Sequence, residues 1–219
     1  MPIGIVLLDK PAGLSSNAAL QRVRRLYGAA KAGHAGSLDP LATGMLPICL
    51  DEATKIAGEI LSSRKRYRFT ILLGVSTRTG DREGQIVARA NVPELAPQRI
   101  EAVLETFLGS GRQVPPMYSA LKRAGRPLYE LARAGVVVER EARPIEIFEL
   151  RLLGQNGASL ELETHCSKGT YVRVLAEDIA RALGTCGHVT ALRRLSVEPF
   201  EREPMQTLES IGLACENGT

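Results

Sequence analysis

The sequence predicts an α+β domain on a mixed, largely antiparallel β-sheet with flanking helices. Three observations predict it. Alternating runs such as "RYRFTILL" (residues 66–73) read as half-buried strands. Stripes such as Ile100, Val103, Leu104 and Phe107 recur at helical spacing. The chain shows no regular strand–helix alternation of βαβ type and no GxGxxG motif, so a parallel doubly wound sheet is not expected.

The elements follow in order. Residues 5–8 form a short buried strand that runs into a turn at 10–13. Ser15 or Ser16 caps a helix through Tyr27, with Leu20, Val23 and Tyr27 on one face. Residues 29–44, "AAKAGHAGSLDPLATG", have no periodicity and read as loop. "MLPICL" (45–50) is a short strand, in which Pro47 argues for an edge or irregular position. Asp51 and Glu52 suit the positive end of a helix through Leu61. The strand around 66–73 points Tyr67, Phe69, Ile71 and Leu73 to one face, and "STRTGDREGQIVARA" returns as a hairpin or loop through 86–88. A helix over 97–108 is ended by Gly109 and Gly111. A Pro-rich loop and a short helix over 127–134 precede strands at 144–153 and 159–166, joined by a turn at Asn156 and Gly157. "SKGTYVR" (167–173) turns into a helix that Gly184 closes. A strand over 195–200 and one short helix in the acidic tail complete the chain. Residues 1–200 are expected to be one domain, with 201–219 an acidic tail.

The 219 residues, 44% hydrophobic and 24% charged, suit a soluble globular protein. No apolar run approaches the roughly 18 residues of a membrane span. The N-terminus has no basic region ahead of its apolar residues, as a signal peptide would. A cytoplasmic protein is expected. Cys49, Cys166, Cys186 and Cys215 lack metal-ligand spacing and read as free cysteines, and no metal site is expected.

Net charge is +4, but residues 201–219 hold four Glu and one Arg, which leaves +7 on residues 1–200. The positive charges cluster at Arg22, Arg24, Arg25 and Lys31; at Arg64, Lys65, Arg66 and Arg68; at Lys122, Arg123 and Arg126; and at Arg193 and Arg194. Such clusters suit phosphate contacts and equally suit a solvated face.

Three residues attract chemical attention. Asp39 precedes Pro40, which biases it away from helix, in a Gly-rich loop; such a carboxylate can be a nucleophile, a base or a turn former. Tyr67 has basic neighbours on both sides and could stack on a base, or could be core. Arg173 sits in the first turn of a helix, where the dipole offers a cation nothing, so a specific carboxylate or phosphate partner is favoured.

With these residues in view, the sequence closely resembles the TruB family of tRNA pseudouridine synthases. The segments that carry the resemblance are "LLDKPAGLSSN", "AGHAGSLDPLATGMLPICLDEATK", "KRYRF", "PPMYSALK", "REARPI", "HCSKGTYVR" and "GHVTALRRL", in the family's order over about residues 4–200. The resemblance implies a pseudouridine synthase-like catalytic domain that isomerises the uridine at position 55 of the tRNA T-loop. It makes Asp39 the covalent nucleophile and Arg173 its partner. It makes Tyr67 a stacking residue and a base. It places His34, Tyr171, Leu192 and, more weakly, Lys10 around the target nucleotide. It implies no cofactor, since the reaction has no redox step. The partner is the tRNA T-arm, not DNA or a membrane, and the protein acts as a monomer. A non-catalytic RNA-binding or RNA-folding module on the same scaffold is the alternative. Three departures stand out: Ala35 where the family usually has Thr, Arg78 where Asp is common, and no complete RNA-binding domain of the PUA kind after residue 200.

Overall fold

The computed structural model describes residues 2–123 and 125–217; the last two residues of the expected acidic tail lie outside them. The chain divides into two compact units, one of Met1–Arg68 with Leu192–Thr219, the other Phe69–Ala191.

In the first unit, β1 (Gly4–Lys10) leads to α1 (Ser16–Leu26), whose N-cap is Ser15. β2 (Ala32–His34) and β3 (Thr43–Leu50) follow, then a 3₁₀ turn (Asp51–Ile56) and α2 (Ala57–Leu61). β1 runs antiparallel to β3 along one edge, from Gly4 opposite Leu50 to Lys10 opposite Gly44. The other edge of β3 is shared. His34 of β2 lies antiparallel opposite Ile48, whereas Arg193 and Arg194 run parallel to Thr43 and Gly44, so the sheet is mixed.

Pro47 was expected at an edge or irregular position, and β3 has neighbours on both sides. In a strand the N and C=O of one residue face the same edge, and Pro47 O accepts from Ala35 N just beyond the end of β2. The missing N–H faces that same edge, opposite Ala35 just past the last paired residue of β2, so at most the end rung of that ladder is lost. The loop expected over 29–44 also yields the short strand β2. The helix expected from Asp51 starts instead as a 3₁₀ turn. Asp51 has φ +46°, and its main chain and side chain both bond the Lys31 main chain.

The core of this unit packs Leu7, Ala35, Met45, Cys49, Ile60 and Val197, with Phe200 and Met205 against them. Within the expected tail, Gln206 bonds β1 through Asp9 N and Leu7 O, and residues Leu208–Glu216 form a helix packed on α1.

The second unit begins within β4 (Lys65–Leu73), followed by the β5 (Val75–Thr77) and β6 (Ile86–Arg89) hairpin and α3 (Pro97–Glu105). β7 (Gly109–Gln113) was not expected, because its glycines read as helix terminators. The small hairpin of β8 (Lys122–Arg123) and β9 (Arg126–Pro127) precedes α4 (Leu128–Arg133). β10 (Arg143–Asn156) is paired antiparallel with β7 on one side and with β11 (Ser159–Cys166) on the other. α5 (Val172–Ala182) and β12 (Gly187–Val197) close the unit, β12 passing on into the first unit and to α6 (Leu208–Glu216). Among the described residues no helix is long and apolar enough to cross a membrane.

Candidate active site

Asp39 sits in the irregular stretch between β2 and β3, with a half-buried side chain. Its neighbours on both sides are held. The Ser16 hydroxyl accepts from Leu38 N (2.7 Å) and donates to Leu38 O (2.9 Å), satisfying both main-chain groups of a buried residue. On the other side Pro40 O accepts from Gly13 N (2.8 Å) and lies 3.5 Å from Lys10 Nζ. Asp39 O accepts from Ala42 N (3.0 Å), closing the turn.

Lys10 is 0% exposed, and its ammonium also donates to Pro11 O (2.8 Å) and Leu14 O (2.7 Å). A buried ammonium needs such partners, and here they are main-chain carbonyls of the turn facing the loop. Asp39 is thus carried on a backbone fixed by α1 and the β1 turn.

His34 ends β2. Its Nδ1 is buried with no hydrogen-bond partner among the described residues, and burial together with the Arg194 charge pulls its pKa below the ordinary 6.5. The next residue, Ala35, is wholly buried in the apolar core. A methyl suits that position; a hydroxyl would need a partner there. Tyr67 on β4 and Leu192 on β12 are both buried.

Not all basic residues are surface charge. Arg22, Arg24, Arg25, Lys122, Arg123 and Arg126 are exposed. Lys65 is buried, donating to Leu61 O (2.7 Å) and Ser63 O (2.6 Å) at the end of α2. Arg193 makes a two-pronged bond to Asp9 (2.9 and 2.8 Å). Arg194 is buried.

Tyr171 and Arg173 belong to the second unit. Tyr171 is the N-cap of α5 without a capping side chain of its own. Gln113 supplies the clasp: its Oε1 accepts from Tyr171 N (2.7 Å) and its Nε2 donates to Tyr171 O (3.2 Å). Arg173 is 4% exposed. It donates to Thr79 O (2.6 Å) and Tyr118 O (2.7 Å), and its Nε lies 3.8 Å from Asp81 Oδ2. Asp81 is itself fixed, its Oδ1 accepting from Thr79 Oγ1 (2.6 Å) and Glu83 N (3.1 Å). Glu177, one helical turn beyond Arg173, has its pKa raised, first by burial and then by Asp178, against the opposing pull of Arg173.

The partner expected beside Arg173 from its place in the helix, a carboxylate or a phosphate, includes the carboxylate of Asp81, which the sequence did not single out. Asp81 was legible only as part of the segment "STRTGDREG", where Arg78 drew attention instead. Arg78 itself is exposed. Ser16 and Gln113 were also missed; a buried Ser and Gln carry no pattern at long sequence separation.

Residues 24–172 match the TruB family pseudouridylate synthase N-terminal domain, and residues 173–217 match the tRNA pseudouridylate synthase B C-terminal domain. The chain is 54% identical over 215 residues to tRNA pseudouridine synthase B of Marinomonas sp. (strain MWYL1), covering 98% of this chain and 70% of that protein. It is 55% identical over 210 residues to the protein of the same name from Hydrogenovibrio crunogenus, covering 96% and 69%. Among solved structures, a chain of a Cbf5-Nop10-Gar1 complex is similar with TM-score 0.76 and 28% identity, covering 99% of this chain and 57% of that one. A chain of an H/ACA RNP bound to a substrate RNA containing 2'-deoxyuridine is similar with TM-score 0.72 and 25% identity, covering 99% and 56%. The present chain thus spans a little over half of the solved chains. With its core, its anchored aspartate loop and the Arg173 cradle in place, the chain belongs to the TruB family of pseudouridylate synthases.

Proposed function

We propose that this chain converts uridine to pseudouridine in tRNA, at position 55 of the T-loop, with Asp39 as the covalent nucleophile. Family membership supports the reaction, and the name shared by its relatives supports tRNA as substrate. The observation that carries the choice of nucleophile is the anchoring of the main chain on both sides of Asp39. A carboxylate held in this way attacks without first paying the entropy of ordering its loop.

The reaction breaks the N1–C1′ bond, turns the uracil and rejoins it through C5, and the C5 proton leaves at the end. No electrons are exchanged with an outside group, so no redox cofactor is required. Asp39 must be ionised to attack C1′ or C6, and Arg173 is the cation the family resemblance assigns to that carboxylate. Tyr67 serves as the stacking ring and, directly or through water, as acceptor of the C5 proton. A T-loop uridine is folded into tertiary structure and must be flipped out. A neutral His34 fits the vacated stack without bringing charge into it, and Tyr171 and Leu192 line the nucleotide. Lys10 acts through the loop that it holds. The exposed arginines and lysines meet the RNA backbone. The protein acts as a cytoplasmic monomer on the T-arm.

Asp39→Asn tests this reading. Tritium release from a T-arm stem-loop carrying 5-tritiated uridine is expected to fall on the order of 1,000-fold or more. RNA affinity should stay within about threefold, since phosphate contacts dominate it. Undiminished release by the variant would overturn Asp39 as the nucleophile, and no release by the wild type would favour a module that only binds or folds RNA.

A further inference from the structure

Arg193 and Arg194 look in the sequence like one more basic cluster, yet neither is spent on the surface. Arg194 is 1% exposed, among the largest fully buried side chains of the molecule. A buried guanidinium is costly unless its donors are satisfied. Its hydrogen bonds go to two main-chain carbonyls: Nε donates to Met45 O (2.6 Å) and Nη2 to Gly36 O (3.1 Å). These carbonyls lie at the two ends of residues 36–45, the segment that carries Asp39.

The main chain of Arg194 closes the same loop. Arg194 pairs in parallel with Gly44, at φ +99°, and a Cβ on Gly44 would fall 2.1 Å from Arg194 O. Only glycine allows that approach. One residue therefore grips the loop by backbone at Gly44 and by side chain at Gly36 and Met45.

We propose that Arg194 is a positioning residue for Asp39: its guanidinium ties together the two ends of the 36–45 loop and so holds the carboxylate in attack geometry. The proposal rests on the reading of Asp39 as nucleophile. Its planar fork reaches both carbonyls at once, which a lysine ammonium at that depth does not reproduce. Ser16 and Lys10 hold the middle of the loop, and Arg194 holds its ends.

The test compares Arg194→Lys, which keeps the charge, with wild type and with Asp39→Asn. Hydrogen exchange of the free protein reports on the loop without reference to activity. The Ala35 and Ala42 amides, bonded to Pro47 O and Asp39 O, should exchange at least about tenfold faster in Arg194→Lys, with β10 and β11 unchanged. The single-turnover rate at saturating T-arm RNA should fall by about 10- to 100-fold, while RNA affinity stays within about threefold. A role confined to stability would leave the rate per folded molecule unchanged. Unchanged exchange overturns the clamp. Faster exchange with an unchanged rate, where Asp39→Asn is inactive, overturns the positioning role and leaves the nucleophile standing. An active Asp39→Asn removes both. Should Arg194→Lys fail to fold, the wild-type Nε–H resonance of Arg194 decides. Slow exchange with water supports the clamp, and exchange as fast as that of exposed Arg22 overturns it.

Discussion

The Arg173 guanidinium is held beside the Asp81 carboxylate, Nε to Oδ2 3.8 Å, with both side chains almost wholly buried. The pair joins the first turn of α5 to the turn between β5 and β6. Thr79 serves both partners, its carbonyl accepting from Arg173 and its hydroxyl donating to Asp81. At 3.8 Å the contact is an ion pair rather than a close hydrogen bond. The charge of Asp81 therefore matters more than its geometry as an acceptor.

Asp81→Asn keeps the shape and removes the charge. Arg173 then keeps two carbonyls but loses the buried Asp81 charge, which costs about 1–3 kcal/mol. In a chain of this length that lowers Tm by about 2–4 °C per kcal/mol. Single-turnover pseudouridine formation should fall as well, because Arg173 becomes free to turn from its place. Melting curves and single-turnover rates check this; a variant equal to wild type in both would show the pair to be idle.

Ser16 is the second point of leverage. Ser16→Ala strips the partner from Leu38 N and Leu38 O together, leaving two buried main-chain groups unsatisfied beside Asp39. The expected cost is about 1–3 kcal/mol, seen as a lower Tm. The rate should fall with it, because Leu38 sets the entry of the chain into Asp39. Ser16→Thr, which keeps the hydroxyl, should retain more of both than Ser16→Ala.

What the sequence disclosed and what it hid divide along a physical line. The alternation of Tyr67, Phe69, Ile71 and Leu73 and the stripe of α3 were legible, because a buried face imposes its period locally. β7 was not, since its first four residues are exposed and carry no period. Asp39, Tyr67 and Arg173 could be named from local oddity and from the family segments. Their supports could not. Ser16 reaches Leu38 across 22 residues and Arg194 reaches Gly36 across 158, and no local pattern encodes such pairs. Arg194 was also masked by its neighbour, since two adjacent arginines read as surface charge until burial separates them.

His34 gives the pH dependence a sign. Burial and the Arg194 charge depress its folded-state pKa below the unfolded 6.5. Between the two values the unfolded chain binds more protons than the folded one, so stability rises with pH there. The contribution is fully present above about 6.5 and is lost as pH falls through the folded value. His34→Gln cannot titrate. The wild-type Tm should therefore drop more than the variant's between pH 7.5 and pH 5.5, while the gap between them stays constant from pH 7 to pH 8. The imidazole resonances of His34 should likewise titrate below 6.5 in the free protein. A His34 that titrates at or above its ordinary value would show that neither burial nor the Arg194 charge disfavours its protonated form, and would remove the argument that a neutral ring enters the base stack.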